Sequence, residues 1–325
     1  MLEKKDKRFH TEDLCDLGAH CIGNAIKTLN KGLRHNMRER YLSHVTLENT
    51  AKSSLLADLD VEKDFEVEIQ NFQKSRFKQI ELYGEECLGS RNIDLTDAPG
   101  TYVLVDALDG SDLYEREIHN WCSAAIFFTP KNPIGKRIRA AIVGIPDETI
   151  YIASDIENSE VMVTRRNKDD IQNLRGMSEV NQLSNASICF YGQKVGNLLS
   201  TLKSPIWESL LNTSATKKKQ LVPRIYNLAG IPMLMKLIDK PSTHGSGIDV
   251  VIDLVGQHAH DVVPGAFIAK KAGATMLNLN GAEITFEKLE ESMLKPNTDA
   301  HKLKYVIAST KELAEETIDW LKKVA

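Results

Sequence analysis

The chain has 325 residues, of which 42% are hydrophobic and 26% are charged, and its formal net charge is −4. A chain of this length and composition can bury a large core, so we expect one large domain or two closely joined ones, not disorder. The negative charge argues against a nucleic-acid polymer as a partner, because proteins that bind such polymers present basic surfaces to the phosphates.

The N-terminal residues and the cysteines indicate where the protein works. The first ten residues are charged and lack the apolar centre of a signal peptide. No run of about 18 apolar residues could cross a bilayer. The five cysteines include no Cys-x-x-Cys pair, so neither a zinc site nor a redox pair is indicated. We therefore expect a cytoplasmic protein with reduced thiols and no membrane partner.

Two helices are predicted in the first part of the chain. Apolar residues recur at helical spacing over 12–33, and the same spacing appears again over 61–80. Two aspartates, Asp58 and Asp60, precede the second helix. Asp60 is favoured as the N-cap of that helix, because it comes directly before the first apolar residue of the repeat.

An apolar run that ends in Asp106 is the most informative segment of the chain. The run reads as a strand, and Asp109, Gly110 and Ser111 follow it. Two carboxylates at a strand exit supply the oxygen ligands that Mg2+ prefers. Gly110 permits a tight turn, and Ser111 would lie near a helix N-terminus, where phosphate oxygens bind. The structural alternative is a simple turn, because Asp, Gly and Ser dominate turns.

Further carboxylates occur on both sides of this segment. Upstream, Glu85 and Glu86 follow a mostly apolar run. Successive residues of an extended chain point to opposite faces, so only one of these glutamates can face Asp106. Downstream, Asp261 precedes a predicted helix, and an aspartate is favoured at that position for capping alone.

The remaining pattern predicts two lobes of different character. Five short strands separated by turn signals predict antiparallel hairpins at 102–106, 122–129, 138–145, 149–153 and 161–164. The second half is predicted as a mixed α/β lobe, with strands at 187–191 and 305–308 and helices at 195–202, 247–255, 262–272 and 310–324. We place the lobes at 1–180 and 181–325.

Taken in order, the acidic segments resemble the inositol monophosphatase family, within the larger group that includes the fructose-1,6-bisphosphatases. Three family motifs are matched, by Gly84-Glu85-Glu86, by Asp106-Ala107-Leu108-Asp109-Gly110-Ser111 and by His260-Asp261. The resemblance is clear over about 55–130 and 245–315. It implies an α+β fold, which is a layered α-β-α-β-α sandwich with a mostly antiparallel first sheet, a mixed second sheet and the metal site between the lobes.

The resemblance also implies a role for each matched residue. The metal ligands would be Glu85, Asp106, the Leu108 carbonyl, Asp109 and Asp261, holding two or three Mg2+ ions with Mn2+ as a substitute. The catalytic groups would be Glu86, Ser111 and an upstream Asp that partners the Ser111 hydroxyl, for which Asp60 is preferred to Asp58. Phosphate would be held by the amides of Gly110 and Ser111, with His260 at the substrate mouth.

The implied activity is hydrolysis of a small phosphomonoester by a water that the metals activate. The substrate class is an inositol, sugar or polyol phosphate, or a nucleotide phosphate. The partner is therefore a small phosphorylated metabolite. Dimers are common in the family, so a homodimer is a further expectation.

The segment before Asp261 departs from the family pattern. His260 stands where the family has tryptophan, and Gly245-Ser246-Gly247 resembles the family's Gly-Ser-Ala-Ala but lies only 16 residues (261 minus 245) upstream. That spacing predicts the loss of a strand and of an acidic residue that contacts a substrate hydroxyl. His258 and His260 share a face only in an extended segment, so we expect neither of them to ligate a metal.

Two other functions stay open. One is a catalytically weak or inactive member that binds a metal or a phosphometabolite as a regulatory or interaction protein. The other is an enzyme of the haloacid dehalogenase kind, but Ala107 occupies the position of its nucleophile.

Overall fold

The structure is a computed structural model of the chain, and it describes residues 9–34, 40–42, 53–76, 79–85, 93–165, 172–191, 224–228, 230–240 and 247–323. The helices in these ranges are α1 (Thr11–Arg34), α2 (Leu56–Arg76), α3 (Ser111–Glu115), α4 (Ile231–Ile238), α5 (Ala259–Lys271), α6 (Phe286–Leu294) and α7 (Lys311–Lys322). The strands are β1 (Arg40–Leu42), β2 (Ser53–Leu55), β3 (Ile80–Gly84), β4 (Thr101–Asp109), β5 (Cys122–Phe128), β6 (Ile138–Gly144), β7 (Ile150–Ser154), β8 (Met162–Thr164), β9 (Ser187–Tyr191), β10 (Arg224–Tyr226), β11 (Val250–Gln257), β12 (Thr275–Leu277) and β13 (Leu303–Ala308).

Two larger sheets organise the molecule. The first has six strands in the order β3-β4-β5-β6-β7-β8, in which only β3 and β4 run parallel. The second has five strands in the order β10-β9-β11-β13-β12, and β9 is parallel to both of its neighbours whereas β13 is antiparallel to both of its own. The predicted combination of a mostly antiparallel sheet and a mixed sheet is confirmed.

Helices cover the sheets in three layers. One apolar core joins α1 and α2 to the outer face of the first sheet. A second core contains residues of both sheets together with α4, α5 and α6, which therefore lie between the sheets. A third core packs α7 against the outer face of the second sheet. The predicted α-β-α-β-α sandwich is confirmed, whereas the lobe boundary at 180 stays a prediction.

Strand β4 is buried along both faces, which explains its nearly continuous apolar sequence. Tyr102 and Leu104 face the central core, and Val103 and Val105 face α1 and α2, as the alternation of a strand requires. The alternation breaks at the end of the strand. Between Asp106 and Asp109 the strand carries a bulge, because Asp106 pairs with Ala124 and Asp109 pairs with Cys122.

Two of the predicted elements differ from the structure. Helix α2 begins at Leu56, not at 61, so Asp60 lies within the helix and is not its N-cap. The predicted helix over 247–255 is strand β11, whose β-branched residues are paired on both sides by β9 and β13. The expectation that the segment before Asp261 lacks a strand is therefore also wrong. The predicted helix over 195–202 lies outside the described residues.

None of the helices in the described ranges combines the length and the apolar character needed to cross a membrane.

Candidate functional site

Asp106 lies at the centre of a group of carboxylates that come from separate elements. Its side chain is buried, and its Oδ1 accepts a hydrogen bond of 3.2 Å from the backbone amide of Leu108. Burial raises the pKa of Asp106 well above its ordinary value, and four neighbouring carboxylates raise it further. In order of decreasing effect these belong to Glu85, Asp109, Asp261 and Asp58. Three acidic side chains remote in sequence, from Glu85, Asp261 and Asp58, thus converge with Asp109 on Asp106.

Glu85 reaches the site because β3 and β4 run parallel. Gly84 pairs with Val105, so Glu85 follows next to Asp106 at the same edge of the sheet. One ligand atom from each of Glu85, His260 and Asp261 lies within 4.8 Å of the others. The end of β3 therefore faces the start of α5 across the site.

Asp109 follows the bulge in β4, and helix α4 binds it. The amide of Ile231, the first residue of α4, donates a hydrogen bond of 2.6 Å to its Oδ2, and the Cys122 thiol lies 3.9 Å from the same oxygen. Burial raises the pKa of Asp109 to about 7, and the charge of Asp261 raises it as well, while the Ile231 amide acts in the opposite direction.

Gly230 is required where α4 meets Asp109. Its φ is 82°, and a Cβ at this position would overlap the Asp109 carboxylate. This contact was not predicted from the sequence, although Gly230 followed by Pro232 in the first turn is a recognisable helix start. Gly247, which belongs to the motif matched at Gly245-Ser246-Gly247, lies just before β11 and not at the start of a helix, and Gly245 and Ser246 lie outside the described residues.

Asp261 lies in the first turn of α5, and its carboxylate contacts two histidines that precede it in the chain, His258 and His260. Its Oδ2 accepts a 3.3 Å hydrogen bond from the His258 amide, and its Oδ1 lies 2.9 Å from His260 Nε2. Burial favours a raised pKa for Asp261, but the charge and hydrogen bond of His260, together with His258, hold the pKa below its ordinary value. His260 is buried beside Asp261, with only 7% of its side chain exposed, and does not lie at an open mouth.

Helix α2 carries three acidic residues in its first two turns, Asp58, Asp60 and Glu62, and their side chains lie in different surroundings. Asp58 is buried and its charge acts on Asp106, whereas Asp60 is 35% exposed and lies 3.7 Å from Lys63 Nζ. The structure thus brings Asp58, and not Asp60, to the carboxylates. Glu62, one turn beyond Asp58, is also buried and packs against Gly84, where any Cβ would overlap its carboxylate. The sequence analysis did not identify Glu62.

The turn after β4 has the predicted form. Gly110 is left-handed, with φ 88°, and a Cβ there would lie 2.9 Å from the Asn120 carbonyl oxygen. Ser111 is partly buried and begins α3, which is a helix of five residues. Leu108 is buried in the strand before the turn.

Glu86 lies outside the described residues, so its predicted role stays a prediction.

The donor set suits divalent cations. Burial and the neighbouring negative charges all raise the pKa of Asp106. The part that comes from the charges means that the ionised carboxylates repel one another. Bound cations would remove this repulsion, and carboxylate oxygens are the ligands that Mg2+ takes.

Comparison with known proteins gives a clear result at the level of the fold. No protein-family model matches the chain, and no curated protein matches it in sequence. Solved structures do match over nearly their whole length. The extragenic suppressor protein suhB from Bartonella henselae is 16% identical, with a TM-score of 0.60 over 95% of this chain and 98% of that one.

Two further structures agree with this match. A protein described as an inositol monophosphatase-fructose 1,6-bisphosphatase is 18% identical, with a TM-score of 0.59 over 92% of this chain and 98% of that one. A staphylococcal IMPase-II is 16% identical, with a TM-score of 0.58 over 95% of this chain and 94% of that one. The chain therefore has the inositol monophosphatase fold.

Proposed function

We propose that the protein is a metal-dependent phosphatase of the inositol monophosphatase type that hydrolyses a small phosphomonoester in the cytoplasm. The observation that carries this proposal is the convergence of Glu85, Asp109, Asp261 and Asp58 on the buried Asp106, within the inositol monophosphatase fold. The substrate class is an inositol, sugar or polyol phosphate, or a nucleotide phosphate.

The metal ligands in this proposal are those predicted from the sequence. Glu85, Asp106, Asp109, Asp261 and the carbonyl of Leu108 hold two or three Mg2+ ions, with Mn2+ as a substitute. When bound, the cations supply the charge that makes a water acidic and that offsets the charge on the leaving oxygen. The amide of Ile231 holds Asp109 in a fixed orientation while it does so.

The proton acceptor in this proposal is Asp58, whereas the sequence alone favoured Asp60. Ser111 orients the attacking water, and Asp58 takes the role that was given to Asp60, because Asp58 is the α2 carboxylate whose charge reaches Asp106. Phosphate binds at the start of α3. The first amides of a helix have no acceptor within that helix, so the Gly110 turn leaves the Ser111 amide free to bind phosphate oxygens.

A phosphate-release screen tests the proposal. The panel contains inositol, sugar, polyol and nucleotide monophosphates, each measured with Mg2+ and with EDTA. We expect Mg2+-dependent release from at least one class, and a loss of more than about 100-fold in Asp106→Asn, because outer-shell partners of a metal alone are worth about 10–100-fold. Equal activity in the wild type and the variant would remove Asp106 from the mechanism.

The regulatory alternative gives a different result in the same screen. A protein that binds phosphorylated compounds in the presence of Mg2+ without turning any of them over would be a regulatory or interaction protein. The replacement of the family's tryptophan by His260 is the observation that keeps this second function in view.

A further inference from the structure

We propose that Glu85, His260 and Asp261 bind a first-row transition metal ion, such as Zn2+, Fe2+ or Co2+, in preference to Mg2+. The proposal rests on the proposed function and refines its metal content: Asp106 and Asp109 keep Mg2+, whereas Glu85 and Asp261 share a different ion with His260. It differs from the expectation drawn from the sequence, in which neither histidine is a ligand.

The separation of the three ligand atoms suits a single ion. Ligands at right angles around an ion with bonds of about 2.1 Å lie about 3.0 Å apart, and ligands on opposite sides lie about 4.2 Å apart. His260 Nε2 lies 2.9 Å from Asp261 Oδ1, which matches ligands at right angles around one ion. One nitrogen of His260 and one oxygen from each of Asp261 and Glu85 lie within 4.8 Å of one another, so the three groups are close enough to share one ion after a small adjustment of the side chains.

The histidine and the aspartate are already held in place. The His260 ring is buried and stacks on the His258 ring, with centroids 5.7 Å apart and planes 8° apart. The His258 amide binds Asp261 Oδ2, so the other oxygen of this carboxylate is directed towards His260. Outer contacts of this kind orient metal ligands and raise the affinity for the ion.

The ligand type determines which ion is favoured. An imidazole nitrogen suits Zn2+, Fe2+ and the later first-row ions, whereas carboxylates, carbonyls and water suit Mg2+ and Mn2+. Asp106 and Asp109 offer oxygen atoms only. The site thus combines an oxygen-only part that suits Mg2+ with a nitrogen-containing part at the start of α5.

Pulsed electron paramagnetic resonance of bound Mn2+ tests the proposal on the full chain. Mn2+ is the probe because it is paramagnetic and reports nitrogen atoms bound directly to it. With enough Mn2+ to fill both the oxygen-only part and the nitrogen-containing part of the site, we expect a 14N coupling in unlabelled protein and a 15N coupling when only the histidines carry 15N. This comparison uses the wild-type chain and so does not depend on whether a variant folds.

Two variants identify the histidine. His260→Gln is expected to lose the nitrogen coupling. His258→Gln is the matched control and keeps it, because it is the backbone amide of His258 that reaches Asp261. In His260→Gln we also expect the Zn2+ or Co2+ affinity to fall by more than about 100-fold, because loss of a direct ligand should exceed the roughly 10–100-fold effect of an outer-shell partner, while the Mg2+ affinity changes by less than about threefold.

The outcomes separate this inference from the proposed function. Mn2+ that binds without any nitrogen coupling, or with a coupling that survives in His260→Gln, overturns the inference and leaves the phosphatase proposal standing. A wild-type chain that binds no Mn2+ at all overturns both.

Discussion

Asp109 shows how a single residue links the site to the stability of the chain. Its pKa in the folded state is about 7, above the ordinary value for an aspartate because of burial and of the charge of Asp261. A raised acid pKa means that the folded state binds the proton more tightly than the unfolded state does. The contribution of protonated Asp109 to the stability of the folded state is therefore complete below about pH 4, and it is lost as the pH rises through about 7.

Asp109→Asn is expected to prevent the loss of stability that follows from ionisation of Asp109 at high pH. In EDTA at pH 8, the variant should melt several degrees above the wild type, whereas at pH 4 the two should be alike. Mg2+ should raise the melting temperature of the wild type at pH 8 and have little effect on the variant. Thermal melts at the two pH values, with EDTA and with Mg2+, measure this. Identical melting temperatures in EDTA at pH 8 would contradict the prediction.

The two aspartates of α2 provide a matched pair for a second prediction. Asp58 is buried near Asp106, and Asp60 is partly exposed beside Lys63. Asp58→Asn should reduce kcat about 10²- to 10⁴-fold, which is the usual contribution of a general base. Asp60→Asn should stay within about twofold of the wild type. Steady-state phosphate release measures both, and a larger loss in Asp60→Asn would restore the assignment made from the sequence.

At the scale of elements, the N-terminus of α4 fixes the position of Asp109, which is a metal ligand in the proposed function. Gly230 and Gly176 both have positive φ, but a Cβ on Gly230 would overlap Asp109 whereas a Cβ on Gly176 meets nothing within 4 Å. Both alanine variants should lose about 1–3 kcal/mol through backbone strain. Only Gly230→Ala should also lose Mg2+ affinity, by about tenfold or more. Urea unfolding and Mg2+ titration separate the two effects, and equal Mg2+ affinities would contradict the prediction.

Much of this architecture could be predicted from the sequence, and the exceptions have physical causes. Strand β4 was predicted to end at Asp106 and continues to Asp109; it is long, apolar and followed by a turn, so local pattern alone identifies it. Strand β11 was misread because it is covered on both faces and its apolar run lacks the alternation of a half-buried strand. The choice between Asp58 and Asp60 depends on where α2 begins and on which of its faces packs against the sheet. Only tertiary contacts determine these two features.

At the scale of the whole molecule, α4 joins the site to the first sheet at a second point. Asp239, which follows the helix, is fully buried and binds Arg165 at 2.6 Å, Arg175 at 3.1 Å and the Tyr151 hydroxyl at 3.0 Å. We call these four residues the Asp239 cluster. Burial favours a raised pKa for Asp239, but the two arginines outweigh this effect and hold the pKa below its ordinary value. Helix α4 therefore extends from Asp109 at one end to the Asp239 cluster at the other.

Breaking the Asp239 cluster should cost more than removing one neutral member of it. Asp239→Asn should lower the free energy of unfolding by about 3–5 kcal/mol, because it leaves the largely buried Arg165 without its counter-charge; the more exposed Arg175 can be solvated by water. Tyr151→Phe removes a single hydrogen bond and should cost about 1 kcal/mol. Urea unfolding at pH 7 measures both variants. Equal losses would show that the charge of Asp239 contributes nothing beyond one hydrogen bond.

The bulge at the end of β4 has a consequence for the spacing of the two aspartates. Their partners, Ala124 and Cys122, are two residues apart and share one face of β5, so Asp106 and Asp109 share a face although three residues separate them in number. An uninterrupted strand could align an Asp-x-Asp pair equally well, but it would have no additional residue between the two aspartates. A bulge leaves its additional residue out of the ladder between the strands. In the proposed function the Leu108 carbonyl is an oxygen ligand, and it comes from the same irregularity that aligns the two carboxylates.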